Sequence, residues 1–178
     1  MREGAGPALG IGYITLLTDR PPLDNQQLRR ALAFSLDREL LTKRVTDKLR
    51  PPLRGLVPPK LPGALAAWPK ADANRARALL QQEGYCSGQV LPLQLTYRSN
   101  VPTDRLLALS WQEWLRSRLG DCVRLELTGM ESTTAYRQLG DGAFQMILLD
   151  WMGDYPDADN YLTPLLGCTQ SELSLIHI

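Results

Sequence analysis

Gly140-Asp-Gly-Ala-Phe-Gln-Met-Ile-Leu-Leu-Asp-Trp-Met-Gly-Asp-Tyr-Pro-Asp157 decides how this chain is read. Phe144 to Leu149 is a short, almost uninterrupted apolar run, which predicts a strand covered on both faces. Asp150, Trp151, Asp154 and Tyr155 follow it, gathered around Gly153 and stopped by Pro156. Acidic and aromatic side chains together at the end of a buried strand suit a cation or an amine held against an aromatic wall. Asp154 and Trp151 are the residues this reading selects, with Tyr155 beside them. Asp157 reads more simply as the cap of a following helix. Strand alternation would turn Asp150 away from the others, so it receives no role. Asp141-Gly142 is a turn into the strand.

Outward from that stretch the pattern is mixed α/β. Ser132 to Leu139 predicts a short helix, and Val123, Leu125 and Leu127 alternate as a strand. Thr103 or Asp104 opens a longer helix carrying Leu107, Trp111, Trp114 and Leu115; both tryptophans read as core or surface residues of the fold rather than a ligand cage. Before it, Leu91, Leu93 and Leu95 form a strand ending at Tyr97-Arg98. Asp72 caps a helix through Leu79 and Leu80, stopped by Gly84. Pro51 to Lys70, with six prolines, reads as a loop. Two helices precede it. One spans Asn25 to Ser35; the other is capped by Asp37, with Leu41, Val45 and Leu49 on one face. Asp19 to Asp24 is a loop, and Ile11 to Leu17 a strand.

Arg98 and Asp154 both lie just past strands. If those strands are parallel neighbours, a cation and an anion share one edge, a layout for a zwitterion. Arg98 read as an ordinary solvated loop charge is the plainer alternative.

Composition bounds the function. The chain has 178 residues, 44% of them hydrophobic, enough for one domain with a core. A net charge of +1 offers no electrostatic case for nucleic acid. No apolar run approaches the roughly 18 to 20 residues of a membrane span. Cys86, Cys122 and Cys168 have no zinc-like spacing, so no metal site is expected. An exported protein would pair two of them and a cytosolic one would leave thiols. Cys86 and Cys122, which bracket one strand and one helix, are the expected disulfide, with Cys168 left for a partner elsewhere. Leu173-Ser-Leu-Ile-His-Ile178 matches what a common transposon adapter encodes, so residues 171–178 are expected to be mostly non-native. That removes His177, the only histidine. With no imidazole, no Gly-rich nucleotide loop and no clustered ligand set, no catalytic residue and no cofactor are expected. Both ends read as cuts in a longer protein.

Four blocks in register carry a resemblance. Pro22-Leu-Asp-Asn-Gln-Gln-Leu-Arg-Arg-Ala-Leu-Ala-Phe-Ser-Leu-Asp-Arg38, Leu56-Val-Pro-Pro59, Ala76-Arg-Ala-Leu-Leu-Gln-Gln-Glu-Gly-Tyr85 and Gly142 to Asp157 resemble blocks of the family 5 extracellular solute-binding proteins. These are the peptide- and nickel-type components of ABC importers, and Glu131 to Phe144 looks most like the cyanobacterial members. The resemblance implies that residues 9–170 are the C-terminal lobe of a two-lobed, type II periplasmic-binding-protein-like fold, with a mixed sheet flanked by helices. It implies a hinge that closes on ligand, a periplasmic or lipid-anchored location, and a membrane permease as partner. The ligand would be a di- or oligopeptide. By the same resemblance Asp154 receives the ligand's α-amino group, Trp151 forms an apolar wall, and Arg98 takes a ligand carboxylate. Relatives of this kind also take nickel chelates, glutathione, haem or sugars. A ligand-sensing lobe of a transcriptional regulator is the rival reading.

Overall fold

A computed structural model describes residues 9–46 and 51–166. The expectations for Leu49, Cys168 and the terminal hexapeptide lie outside these residues. Among the described residues four strands and six helices follow in order: β1 (Gly10–Leu16), α1 (Gln26–Ser35), α2 (Arg38–Thr46), α3 (Ala73–Gln82), β2 (Leu91–Arg98), α4 (Pro102–Leu119), β3 (Val123–Met130), α5 (Ser132–Leu139), β4 (Met146–Met152) and α6 (Asp159–Leu166). The strands form one mixed sheet in the order β1-β4-β2-β3. β2 runs parallel to both β3 and β4, and β1 closes the far edge antiparallel to β4.

Alternation along the strands splits the apolar residues between two faces. Leu16, Leu91, Leu93, Leu95, Val123, Leu125, Met146 and Leu148 pack under α1, α3 and α4 in the main core. Ile147 and Leu149 face the other way, against Ala135 of α5 and Phe144. β4 is therefore buried on both faces from Met146 to Leu149, as its unbroken apolar run predicts. Trp111 is 2% exposed and donates from Nε1 to Ser35 Oγ at 3.1 Å. Trp114 packs against the same core.

Local signals set the helix ends. Asn25 Oδ1 accepts from the backbone of Gln27 and Leu28, so Asn25 is a cap and α1 begins one residue later than its apolar spacing predicts. Asp37 accepts from Leu40 N–H, and Asp72 from Arg75 N–H. Gly84 stops α3 just past its Glu83 C-cap, and its φ of +87° allows Tyr85 N–H to return to the Leu80 carbonyl.

Two further differences from the expected boundaries have a clear cause. α4 starts at Pro102 with Val101 as its uncapped N-cap, because the Asp104 side chain is turned to Arg98 instead. β4 does not stop at Leu149. It continues through Asp150 and Trp151 because β1 keeps pairing alongside, with Ile11 opposite Trp151 and Gly10 opposite Met152. The proline-rich stretch is a loop without helix or strand, yet it is ordered by packing. Its Val57 and Leu61 join Ile11, Tyr161 and Leu165 in a second small core.

Candidate functional site

The sheet brings the two selected strand ends to one edge. β2 and β4 are parallel neighbours, with Leu95 opposite Met146 and Thr96 opposite Ile147. Arg98 closes β2 while β4 runs on past it to Asp150 and the Asp154 turn. The pairing on which the zwitterion layout depended is present.

Arg98 is neither a solvated loop charge nor an open ligand receptor. It is 5% exposed, and four hydrogen bonds hold its guanidinium. Its Nε and Nη2 donate to the two oxygens of Asp104 at 2.7 and 3.1 Å, a side-on fork of the kind guanidinium and carboxylate form best. Its Nη1 donates to Tyr136 Oη at 3.0 Å and to Asp150 Oδ1. Burial disfavours the charged guanidinium, but the hydrogen bonds to Asp104 and Asp150 outweigh it, so its pKa is raised. Tyr13 borders the same cluster. Burial first, then the neighbouring Tyr136 and Asp150, push its phenol pKa up against a smaller opposing effect of Arg98.

Asp104, Asp150, Tyr136 and Tyr13 are the residues that sequence reasoning passed over. Asp150 does not point away from the edge. Only Met146 and Ile147 of β4 pair with β2, so Asp150 stands past the last paired position, where the end of β2 leaves room for it beside Arg98. The one usable signal for Asp104 was its place in the first helical turn after a strand-end arginine.

Asp154 is different. It is exposed, and its carboxylate forms no hydrogen bond or ion pair among the described residues. The turn that presents it is held firmly. Gly153 N–H and Tyr161 Oη both donate to the Leu9 carbonyl, at 3.2 and 2.8 Å. A Cβ on Gly153 would stand 2.9 Å from Tyr161 Cζ, so any larger residue must displace that ring. Asp157 accepts from Asp159 N–H at 2.9 Å, an Asx turn one residue ahead of the expected cap position, which Ala158 holds by accepting from Tyr161 and Leu162 N–H.

Trp151 is half-buried against the second core. Its Nε1 is buried without a hydrogen-bond partner among the described residues, an unusual state for an indole in a native structure. Tyr155 is 48% exposed; its hydroxyl donates to Asp159 Oδ2 at 3.3 Å and its carbonyl accepts from Asn160 Nδ2 at 3.0 Å. Asp154 and Tyr155, with Asp159, Asn160, Thr163 and Pro164 of α6, line a shallow depression of about 230 Å³. The edge thus holds one cation already paired with two carboxylates, one unpaired carboxylate and two aromatic side chains.

Cys86 and Cys122 are joined by a disulfide, with Cα atoms 4.0 Å apart. The bond ties the turn after α3 to the turn before β3, away from the Asp154 edge. Arg77 reinforces it by gripping both oxygens of Asp121 and the Arg118 carbonyl. Among the described residues no group of three or more His, Cys, Asp or Glu is placed to hold a metal ion. Nor is any described helix long and apolar enough to cross a membrane.

Comparison with known proteins settles the family. Residues 3–172 match the family described as bacterial extracellular solute-binding proteins, family 5 middle. This chain belongs to the family 5 solute-binding proteins. It is 26% identical to the dipeptide-binding protein of Escherichia coli over 173 residues, covering 93% of this chain and 31% of that protein. To the probable deoxycholate-binding periplasmic protein YgiS of the same organism it is 30% identical, over 89% of this chain and 30% of that one. The solved structure of the Escherichia coli murein tripeptide binding protein MppA superposes with a TM-score of 0.81 at 26% identity, covering 94% of this chain and 34% of that chain. The fold is thus that of part of a two-lobed binding protein. The chain spans about a third of the length of these relatives.

Proposed function

We propose that residues 9–170 form one lobe of the solute-binding component of an ABC importer, and that its ligand is a short peptide held through its α-ammonium group by Asp154. The observation that carries this reading is the state of Asp154: an unpartnered carboxylate on a turn locked by Gly153, Tyr161 and Leu9. A carboxylate left free on a rigid support is poised for a cation, and closure of a second lobe over it would exclude water and strengthen that pair. Trp151, half-buried beside the turn, supplies an apolar wall. Tyr155 flanks the ammonium position with a ring face.

Family membership and the peptide-binding relatives support transport over catalysis. The deoxycholate-binding relative raises an anionic sterol as a rival, but a carboxylate ligand would meet Asp154 and find Arg98 already neutralised. Function follows from hinge closure. The ligand binds the closed form more tightly than the open one, and that difference drives presentation to the permease. The full-length protein is expected at the periplasmic face, free or as a cell-surface lipoprotein.

The test is to purify the full-length protein natively, release its co-purifying ligands and identify them by mass spectrometry beside an Asp154→Ala variant. Short peptides in the wild type, depleted in the variant, are the expected result. Wild-type protein loaded only with a non-peptide solute overturns the reading.

A further inference from the structure

The most unusual group at this edge is Asp150, which contributes nothing to packing and yet closes off Arg98. Its side chain is 61% exposed, while that of Arg98 is 6% exposed. The guanidinium has two edges able to take a carboxylate. Asp104, itself buried, holds the Nε–Nη2 edge from inside the fold. Asp150 reaches Nη1 from the solvent side. Tyr136 braces it there, accepting from Arg98 Nη1 at 3.0 Å and donating to Asp150 Oδ1 at 3.5 Å. One cation is thus shared between two carboxylates, and the local charge is negative. A ligand carboxylate arriving at Arg98 would have to displace Asp150 and then lie beside two like charges.

The geometry points to Asp150 as a specificity determinant that occupies Arg98, so that this lobe does not read the ligand's terminal carboxylate and takes peptides by their cationic end alone. The inference rests on the peptide reading above and deepens it. The substrate class is then peptides read at their amino end, with free-acid, amidated and blocked C-termini accepted alike. Asp150 acts through Arg98; it is a positioning residue and need not touch the ligand. A purely structural role would weaken all ligands alike, whereas a specificity role changes the ratio between two of them.

That ratio is the measurement. A randomised tripeptide library is made once as free acids and once as C-terminal amides. Equal amounts compete for the full-length protein, and bound peptides are counted by mass spectrometry. Wild type is expected to hold acids and amides within about threefold of each other. Asp150→Ala frees Nη1 and shifts the ratio toward free acids by about tenfold, the order of one charge-assisted hydrogen bond. Asp150→Asn keeps the shape but not the charge and shifts it in the same direction by less; it decides the matter should the alanine variant fail to fold. A wild-type preference for acids of tenfold or more, or a ratio unmoved in both variants, overturns the inference while leaving peptide binding intact. Retention of neither library by wild type or variants removes the peptide reading itself, and this inference with it.

Discussion

Gly153 lies against the ring of Tyr161, close enough that a Cβ would stand 2.9 Å from Cζ, and both residues donate to the Leu9 carbonyl. The start of β1 and the segment from Gly153 to Tyr161, distant in sequence, meet at that one oxygen, and the Asp154 turn hangs from it. Gly153→Ala must push Tyr161 out of a fully buried position. We predict a loss of roughly 1–3 kcal/mol in a urea melt, the usual cost of overpacking. Ligand affinity should fall with it, because the carboxylate is displaced. Tyr161→Phe removes one of the two donors to Leu9 and should cost about 1 kcal/mol.

Asp104 and Arg98 form the buried ion pair of this lobe, with side chains 9% and 6% exposed. Asp104→Ala leaves a buried guanidinium with only the solvent-side Asp150 as counter-ion. Destabilisation of about 3–5 kcal/mol is expected. Asp154→Ala, by contrast, removes an exposed carboxylate with no partner and should change stability by less than about 0.5 kcal/mol. Denaturant melts of the two variants side by side separate the structural carboxylate from the one proposed to bind ligand.

The Cys86–Cys122 disulfide closes a loop with a sequence separation of 36. Restriction of the unfolded chain by a loop of that length stabilises by roughly 3–4 kcal/mol. Paired Cys86→Ser and Cys122→Ser substitutions should lower the urea midpoint accordingly. Since the bond is remote from Asp154, ligand affinity of the folded variant should stay unchanged in calorimetry.

Tyr13 gives a pH dependence of definite sign. Burial, with Tyr136 and Asp150 nearby, raises its folded-state pKa above the ordinary value of about 10. The folded state therefore holds the phenolic proton where the unfolded chain releases it. The stability this contributes is complete below about pH 10 and is lost as pH rises beyond that. Urea midpoints measured from pH 8 to 11 should decline at the alkaline end, and Tyr13→Phe should flatten the decline.

Much of this fold is legible in the sequence because its signals are local. The apolar run at Met146–Leu149, the alternating leucines of β2 and β3, and the caps at Asn25, Asp37 and Asp72 each report a nearby physical need. Asp154 stood out for the same reason, as a charge beside aromatics at a strand end. The Arg98 cluster could not be read this way. Its members come from β1, β2, α4, α5 and β4, and only the sheet order makes them neighbours. Strand alternation misplaced Asp150 because β4 outruns its pairing with β2, and alternation reports sides of a sheet, not what stands beyond its end. α6 was similarly hidden, since Pro164 within it and the short apolar pattern of Tyr161 and Leu165 give little helical signal.

The claim that Asp154 receives a ligand ammonium is tested most directly by a two-by-two calorimetric cycle on the full-length protein. One axis compares a co-purified peptide with its N-acetylated form; the other compares wild type with Asp154→Asn. The account predicts that acetylation and substitution each cost about 2–5 kcal/mol of binding, and that both together cost scarcely more than either alone. An acetylated peptide that binds wild type as tightly as the free amine would contradict it.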